Sequence, residues 1–320
     1  MATRQSSIGL RGRMGLARNT GDAIFQALTF FFAGLIFVII ALVIWQVFQG
    51  SELGLSKFGL SFLGGTDWDP IAESFGALPA IFGTVVSSLL ALAIAGPLGL
   101  FMAIFLAELA PRWIEGPLSF MVELLASIPS VVIGLWGLYL FVPLLRDTVE
   151  TWLHNSLGFL PLFNCTPLGL GMLGAVLILA IMILPYATVV ARDSMRAVPN
   201  IQREAALALG ATPWETIWQA VVPYAQSGIT GGLILALGRA VGETIAVTMV
   251  IGNRPQISAC LFNPSYTLAS QIANEFAEAT TPTYTSVLIE LGLVLMVVTL
   301  IMNAIAQLLL WNLNRKVVKN

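Results

Sequence analysis

The sequence predicts an all-α membrane protein with six transmembrane helices and both termini in the cytoplasm. Three observations carry this. Hydrophobic residues fill 57% of the 320 positions and charged residues only 10%, against roughly a quarter charged in a soluble domain; the mean hydropathy is +0.88. Apolar runs near 22–47, 80–107, 118–145, 170–191, 227–251 and 286–311 each reach the length that crosses a bilayer. The basic residues divide unevenly between the segments that join these runs. With the N-terminus inside, the inner side collects Arg4, Arg11, Arg13, Arg18, Arg112, Arg192, Arg196, Arg203, Arg315, Lys316 and Lys319, and the outer side only Lys57, Arg146 and Arg254. Cytoplasmic segments attract Lys and Arg, so this division sets the orientation. A net charge of −2 gives no electrostatic case for binding nucleic acid.

Residues 1–20 read as a cytoplasmic tail, 21–312 as the membrane domain with a core of about 76–312, and 313–320 as a second cytoplasmic tail. The first run, Ile24 to Phe48, exceeds the ~7–15-residue core of a signal peptide and ends in no small-x-small cleavage site, so it reads as a retained helix. The outer loop Gln49–Leu78, with "FLGGTDWDP", is too polar for lipid. Pro129 in "ASIPSVV" and Pro185 in "MILPYAT" interrupt the third and fourth helices, either as static kinks, the commoner case, or as joints on which the bundle rocks. His154, the lone histidine, falls in an outer loop and reads as a surface residue. Cys165 and Cys260 also fall in outer loops, where they either form a disulfide or stay unpaired thiols. The outer segment 252–285 carries Pro255, Pro264 and Pro282, which interrupt any regular helix.

The longest cytoplasmic connection, 192–226, contains "REAALALGATPWETIWQAVVP". Arg203 to Leu209 are good helix formers, and Gly210 suits a helix end. Thr212 then offers an N-cap, Pro213 the first helical position and Glu215 the third residue of a capping box. Two short helices broken at Gly210 therefore lie at the membrane surface, either docking another protein or resting in the interface as an amphipathic element.

Here the sequence resembles a known family. Glu204, Ala205, Ala206, Gly210 and Pro223 match the EAA loop of ABC importer permeases, with Ala220 and Val222 departing from the isoleucine and leucine usual there. The segments "FGALPAIFGTVVSSLLALAIAGPLGLFMAIFLAELAP", "ELLASIPSVVIGLWGL" and "LGRAVGETIAVTMVIGN" are similar to the C-subunit permeases of bacterial phosphate-specific ABC importers. The resemblance runs from about Trp68 through the sixth helix. It implies a type I ABC importer permease bundle in the bacterial inner membrane. The implied partners are a second, A-type permease, two ATPase subunits on the cytoplasmic side and an extracytoplasmic phosphate-binding protein. The EAA loop would seat in the ATPase. No G-x-x-x-x-G-K-[ST] occurs, so the chain reads as a transport subunit and not an enzyme, binding no cofactor itself, with ATP and Mg on the partner ATPase.

The candidate site is the pair Arg239 and Glu243 in "LGRAVGETIAV". Arg239 falls about 18 Å along the fifth run, near mid-bilayer, where a charge costs on the order of 3 kcal/mol or more. Glu243 lies one turn on, whereas Glu108, Glu123 and Glu290 fall near helix ends. Gly228, Gly232, Ala236, Gly242 and Ala246 are expected on the same face. One reading is a structural ion pair. The other is an anion stepping stone, because guanidinium stays protonated and matches phosphate bidentately. The resemblance points to the second. An ABC permease for sulfate or molybdate, an ion-coupled secondary anion transporter and a membrane scaffold are the rival functions.

Overall fold

The computed structural model describes residues 20–317. Arg4, Arg11, Arg13, Arg18 and Lys319 lie outside the described residues, as do the side chains of Arg315 and Lys316 and most of the two tails. The chain divides into two compact units, residues 1–49 and 50–320. The first contributes a continuous apolar helix, α1 (Thr20–Gly50).

The second unit opens with α2 (Glu52–Phe58) and α3 (Ser61–Gly64), then a two-stranded antiparallel hairpin, β1 (Trp68–Asp69) and β2 (Ser74–Phe75), in register Trp68 to Phe75. Long α4 (Leu78–Ile104) follows and widens into a π segment, Phe105–Leu109. Next come α5 (Arg112–Ser127), α6 (Ser130–Trp136), α7 (Val142–Leu145) and α8 (Thr151–Leu157), the last three joined through π segments Gly137–Phe141 and Arg146–Glu150. The remainder is α9 (Met172–Arg196), α10 (Asn200–Ala208), α11 (Pro213–Thr216), α12 (Val222–Tyr224), α13 (Gln226–Val241), α14 (Ile245–Val250), α15 (Leu268–Glu275) and α16 (Pro282–Val317). Among the described residues, five helical spans are long and apolar enough to cross a membrane, or six if the helices Pro213–Tyr224 and Gln226–Val241, bent by 71°, form one.

The outermost spans follow the sequence reading, and two inner ones differ from it. The third run, 118–145, is two elements: α5 ends at Ser127, and the span runs from Ser130 to Leu157. Pro129 causes the division, because its ring drives Ile128 to an extended ψ of 127°. His154 and Arg146 consequently lie in helix and not in an outer loop. The fifth run, 227–251, breaks at Gly242–Thr244. Pro185, by contrast, sits inside an unbroken α9. The outer segment 252–285 holds α15 between its prolines, and Pro282 starts α16, where a missing N–H is harmless. The π segments Phe105–Leu109, Gly137–Phe141 and Ile217–Val221 each end two residues before a proline (Pro111, Pro143 and Pro223). A widened turn accommodates the ring and the donor it lacks.

Small residues set the packing. Ser87, Ala91, Ala95, Gly99 and Ala103 recur every fourth position of α4 and are all buried, so backbones approach closely where lipid supplies no hydrophobic drive. Helix α9 runs parallel to α4: a Cβ at Gly99 would meet Ala187 at 3.0 Å, and Arg196 reaches the Leu106 carbonyl. Helix α13 runs antiparallel to both, with Gly232 against Val190 and Gly96 facing Leu233. A core of Ala91, Ala95, Ile178, Leu179, Ile183, Ala236, Val247 and Val250 joins these helices. At the hairpin end, Phe62, Phe75, Leu268, Tyr284, Leu288 and Leu291 form a second cluster. Trp68 Nε1 and Tyr284 Oη both donate to Glu275 there, each at 2.7 Å. Ile104, Met195, Ile217 and Val221 form a third cluster at the opposite end.

Glycine at 83 is required by one close approach, since a Cβ would collide with the Tyr266 carbonyl. Gly83→Ala is therefore expected to destabilise the isolated chain by about 1–3 kcal/mol. Gly231→Ala, which meets nothing within 4 Å, leaves it unchanged. Thermal unfolding of the two variants in detergent checks the difference.

Candidate functional site

Arg239 occupies the last turn of α13, about 20 Å from its start at 1.5 Å per residue. The helix stops at Gly242, and Glu243 stands in the break before α14. Its carboxylate faces two groups. Oε1 accepts from the Ala246 amide at 3.3 Å, satisfying a donor that the break leaves free at the start of α14. Oε2 lies 2.5 Å from Arg239 Nη1. That contact makes Oε2 the arginine's counter-ion. The glutamate side chain is 2% exposed and the arginine 35%. One partner is thus walled in and the other faces an opening.

The break also changes which small residues share a face. Gly228 and Gly232 pack on Ser194 and Val190 of α9, and Ala236 is buried beside them. Gly242, expected on that same face, is exposed instead. It joins Gly231, Leu235 and Gly238 in an uncovered strip alongside Arg239. Ala246 belongs to α14 and is fully buried; a Cβ at Gly134 of α6 would lie 3.0 Å from its Cα. The helical period does not carry across Gly242, which is why the sequence pattern joined residues that the fold separates.

The segment 192–226 is built as its residues dictate. Helix α10 ends at Ala208, Gly210 takes φ +91°, and Thr212 caps α11 reciprocally with Glu215. Glu215 accepts from the Thr212 amide at 2.7 Å, which holds its carboxyl below the usual range. Ala205, Ala206, Gly210 and Pro223 line a groove of about 700 Å³ with Leu209 and Tyr224. Glu204 is exposed on α10 outside that lining. Arg203 points the other way and grips Glu108 at 2.6 Å and the Met195 and Val198 carbonyls. This anchor was legible only as separate charges in the sequence.

At the other end, Cys165 and Cys260 are joined in a disulfide. Beside it Glu150 accepts from the Gly169 amide at 2.8 Å, and Leu261 N donates to the Leu162 carbonyl. His154 Nδ1 lies 3.1 Å from the Phe163 carbonyl and closes the same loop. Glu290, expected near a helix end, lies inside α16, 3% exposed, with its carboxylate against Gly54. Arg239–Glu243 differs from the other described ion pairs in joining the last turn of one apolar helix to the break that follows it.

A helical bundle with these small-residue contacts, a broken fifth span and a two-helix segment at 192–226 defines a class. The model for binding-protein-dependent transport system inner membrane components matches residues 95–319, and the chain belongs to that family. Its relatives narrow the class to one branch. The chain is 46% identical over 299 residues to the phosphate transport system permease protein PstC of Mesorhizobium japonicum, covering 92% of this chain and 91% of that one. It is 45% identical over 299 residues to PstC of Pasteurella multocida, covering 92% and 93%. To a probable PstC of Methanocaldococcus jannaschii it is 37% identical, covering 84% and 87%.

Solved structures share the fold. A chain of the MetNI methionine ABC transporter aligns with TM-score 0.52 at 18% identity, covering 74% of this chain and 94% of that one. A chain of a bacterial transporter involved in alginate import aligns with TM-score 0.55 at 14% identity, covering 91% and 98%. The protein is an inner membrane component with a type I importer permease fold.

The paired cysteines have a direct check. The unreduced, denatured chain is expected to take up no maleimide and the reduced chain two, read by mass spectrometry.

Proposed function

We propose that this chain is the membrane permease subunit of an ATP-driven, binding-protein-dependent importer of inorganic phosphate. The family and the PstC relatives support the class and the anion. The observation that carries the mechanism is the half-open Arg239 braced by a buried Glu243 beside an uncovered glycine strip.

With the path empty, Glu243 neutralises Arg239 and lowers the cost of a charge inside the bundle. An incoming phosphate competes for the guanidinium's planar donors. Glu243 Oε2, once the arginine turns to the anion, can accept a hydrogen bond from a protonated phosphate oxygen. Binding stays weak enough for release, because the carboxylate remains to reclaim the arginine. The strip of Gly231, Leu235, Gly238 and Gly242 fits a second, A-type permease closing the other half of the path.

The 192–226 segment is the coupling element, with the groove around Ala205, Ala206, Gly210 and Pro223 facing two ATPase subunits that bind ATP and Mg. The disulfide end then faces the oxidising exterior and an extracytoplasmic phosphate-binding protein, and both termini face the cytoplasm. On this reading the membrane domain is residues 21–312, with its core from about 76.

Arg239→Gln is expected to leave the complex assembled and lower phosphate uptake into reconstituted vesicles by about two orders of magnitude. Uptake at the wild-type rate rejects the site. Glu204→Lys is expected to remove ATP-dependent uptake together with ATPase copurification; retention of both rejects the coupling assignment.

A further inference from the structure

Three arginine–glutamate pairs stand in a row at the inner end of the bundle. Arg203 holds Glu108 at 2.6 Å, Arg196 holds Glu115, and Arg192 holds Glu123 at 2.8 Å. Glu108 lies in the π segment at the end of α4, Glu115 and Glu123 lie eight residues apart on α5, and the three meet the arginines in reverse order. The row begins at the coupling element, runs down the end of α9 and finishes near the C-terminus of α5. Arg192 is 5% exposed and also bonds Asp193, so its charge is held among carboxylates with little water.

Helix α5 depends on this row. Of its sixteen residues only Ser119 is buried. Trp113, Phe120, Met121 and Leu124 point away from the unit and are more than half exposed. Apolar burial within this chain therefore contributes little to seating α5, and Glu115–Arg196 and Glu123–Arg192 tie it to α9. From Ser127 the chain passes through two residues, Ile128 and Pro129, into α6. There a Cβ at Gly134 would lie 3.0 Å from the Ala246 Cα and 2.6 Å from Met249 Sδ. Ala246 is the residue whose amide holds Glu243.

We propose that Glu108–Arg203 ties the coupling element to the ends of α4 and α9, that Glu115–Arg196 and Glu123–Arg192 make α5 follow α9, and that the Ile128–Pro129 joint and the Gly134–Ala246 contact pass this movement on to position Glu243 against Arg239. The rungs are positioning residues: none touches the anion. A stroke delivered to α10 moves Arg203 and the end of α9. The Glu115 and Glu123 rungs then carry that displacement to α5. Since α6 meets α14 backbone to side chain with no slack, movement of α6 alters the amide that fixes Glu243, and with it the hold on the guanidinium. The proposal rests on the transport reading above and adds the route by which ATP hydrolysis reaches the site.

The experiment uses the full complex in vesicles and reads phosphate entry per ATP hydrolysed. The middle rung is the one to exchange, because both side chains are about a third exposed (37% and 34%) and tolerate a swap. Glu115→Arg is expected to lower the ratio about fivefold while hydrolysis continues, and adding Arg196→Glu is expected to restore it. A residue that only stabilised the fold would lower entry and hydrolysis together and leave the ratio unchanged. Pro129→Gly keeps every rung and loosens the joint, so it is expected to lower the ratio as well, and it decides the matter if Glu115→Arg does not assemble. An unchanged ratio in Pro129→Gly, or a loss in Glu115→Arg that the swap leaves unrepaired, overturns the proposal. A wild-type complex that hydrolyses ATP and admits no phosphate rejects the transport reading itself.

Discussion

A guanidinium does not shed its proton to escape a low-dielectric interior, so Arg239 can sit deep in this bundle only with a carboxylate beside it. Glu243 meets that demand from an unusual position. It lies in a gap between two helices, where it also accepts the amide that the gap exposes. One carboxylate thus answers two electrostatic needs at the same interruption: a half-open cation and an orphaned helix donor. The fifth span breaks where the pair requires it, and the glycines around the break keep the guanidinium's outer side open.

The surrounding architecture keeps that break in place by contact rather than by burial of large side chains. Alanine and glycine at every fourth position let α4, α9 and α13 approach closely, and a backbone contact between α6 and α14 fixes the far side. The two ends of the bundle are secured differently. The hairpin end uses aromatic packing, a carboxylate shared by an indole and a phenol, and a disulfide. The opposite end uses arginine pairs.

The inner two-helix segment was legible almost to the residue, because its information is local. A capping box, a proline at the first helical position and a glycine at a left-handed φ specify their own geometry whatever surrounds them. The identity of the candidate pair was legible for a similar reason: two charges in a run of apolar residues stand out by composition. Its geometry was not. A hydropathy window cannot register that Gly242 ends a helix, nor that Pro129 divides a span, since each fault involves one backbone donor in a stretch of unchanged polarity. Glu290 was misplaced for the same cause, because the span containing it begins earlier than its apolar window does.

The sequence by itself determined the membrane class, the number of apolar runs, the division of basic residues and the residues that carry charge into the bundle. Each is a property of composition summed over some twenty positions or of a motif within one turn. Only the tertiary structure decided that Glu243 lies in a break, that Gly242 and Gly238 open outward while Gly228 and Gly232 pack inward, and that the inner arginines pair with three glutamates 69 to 95 residues away in the chain. Those outcomes depend on which helices neighbour one another, and that is settled by the close approach of small side chains across the whole bundle, to which no local window has access.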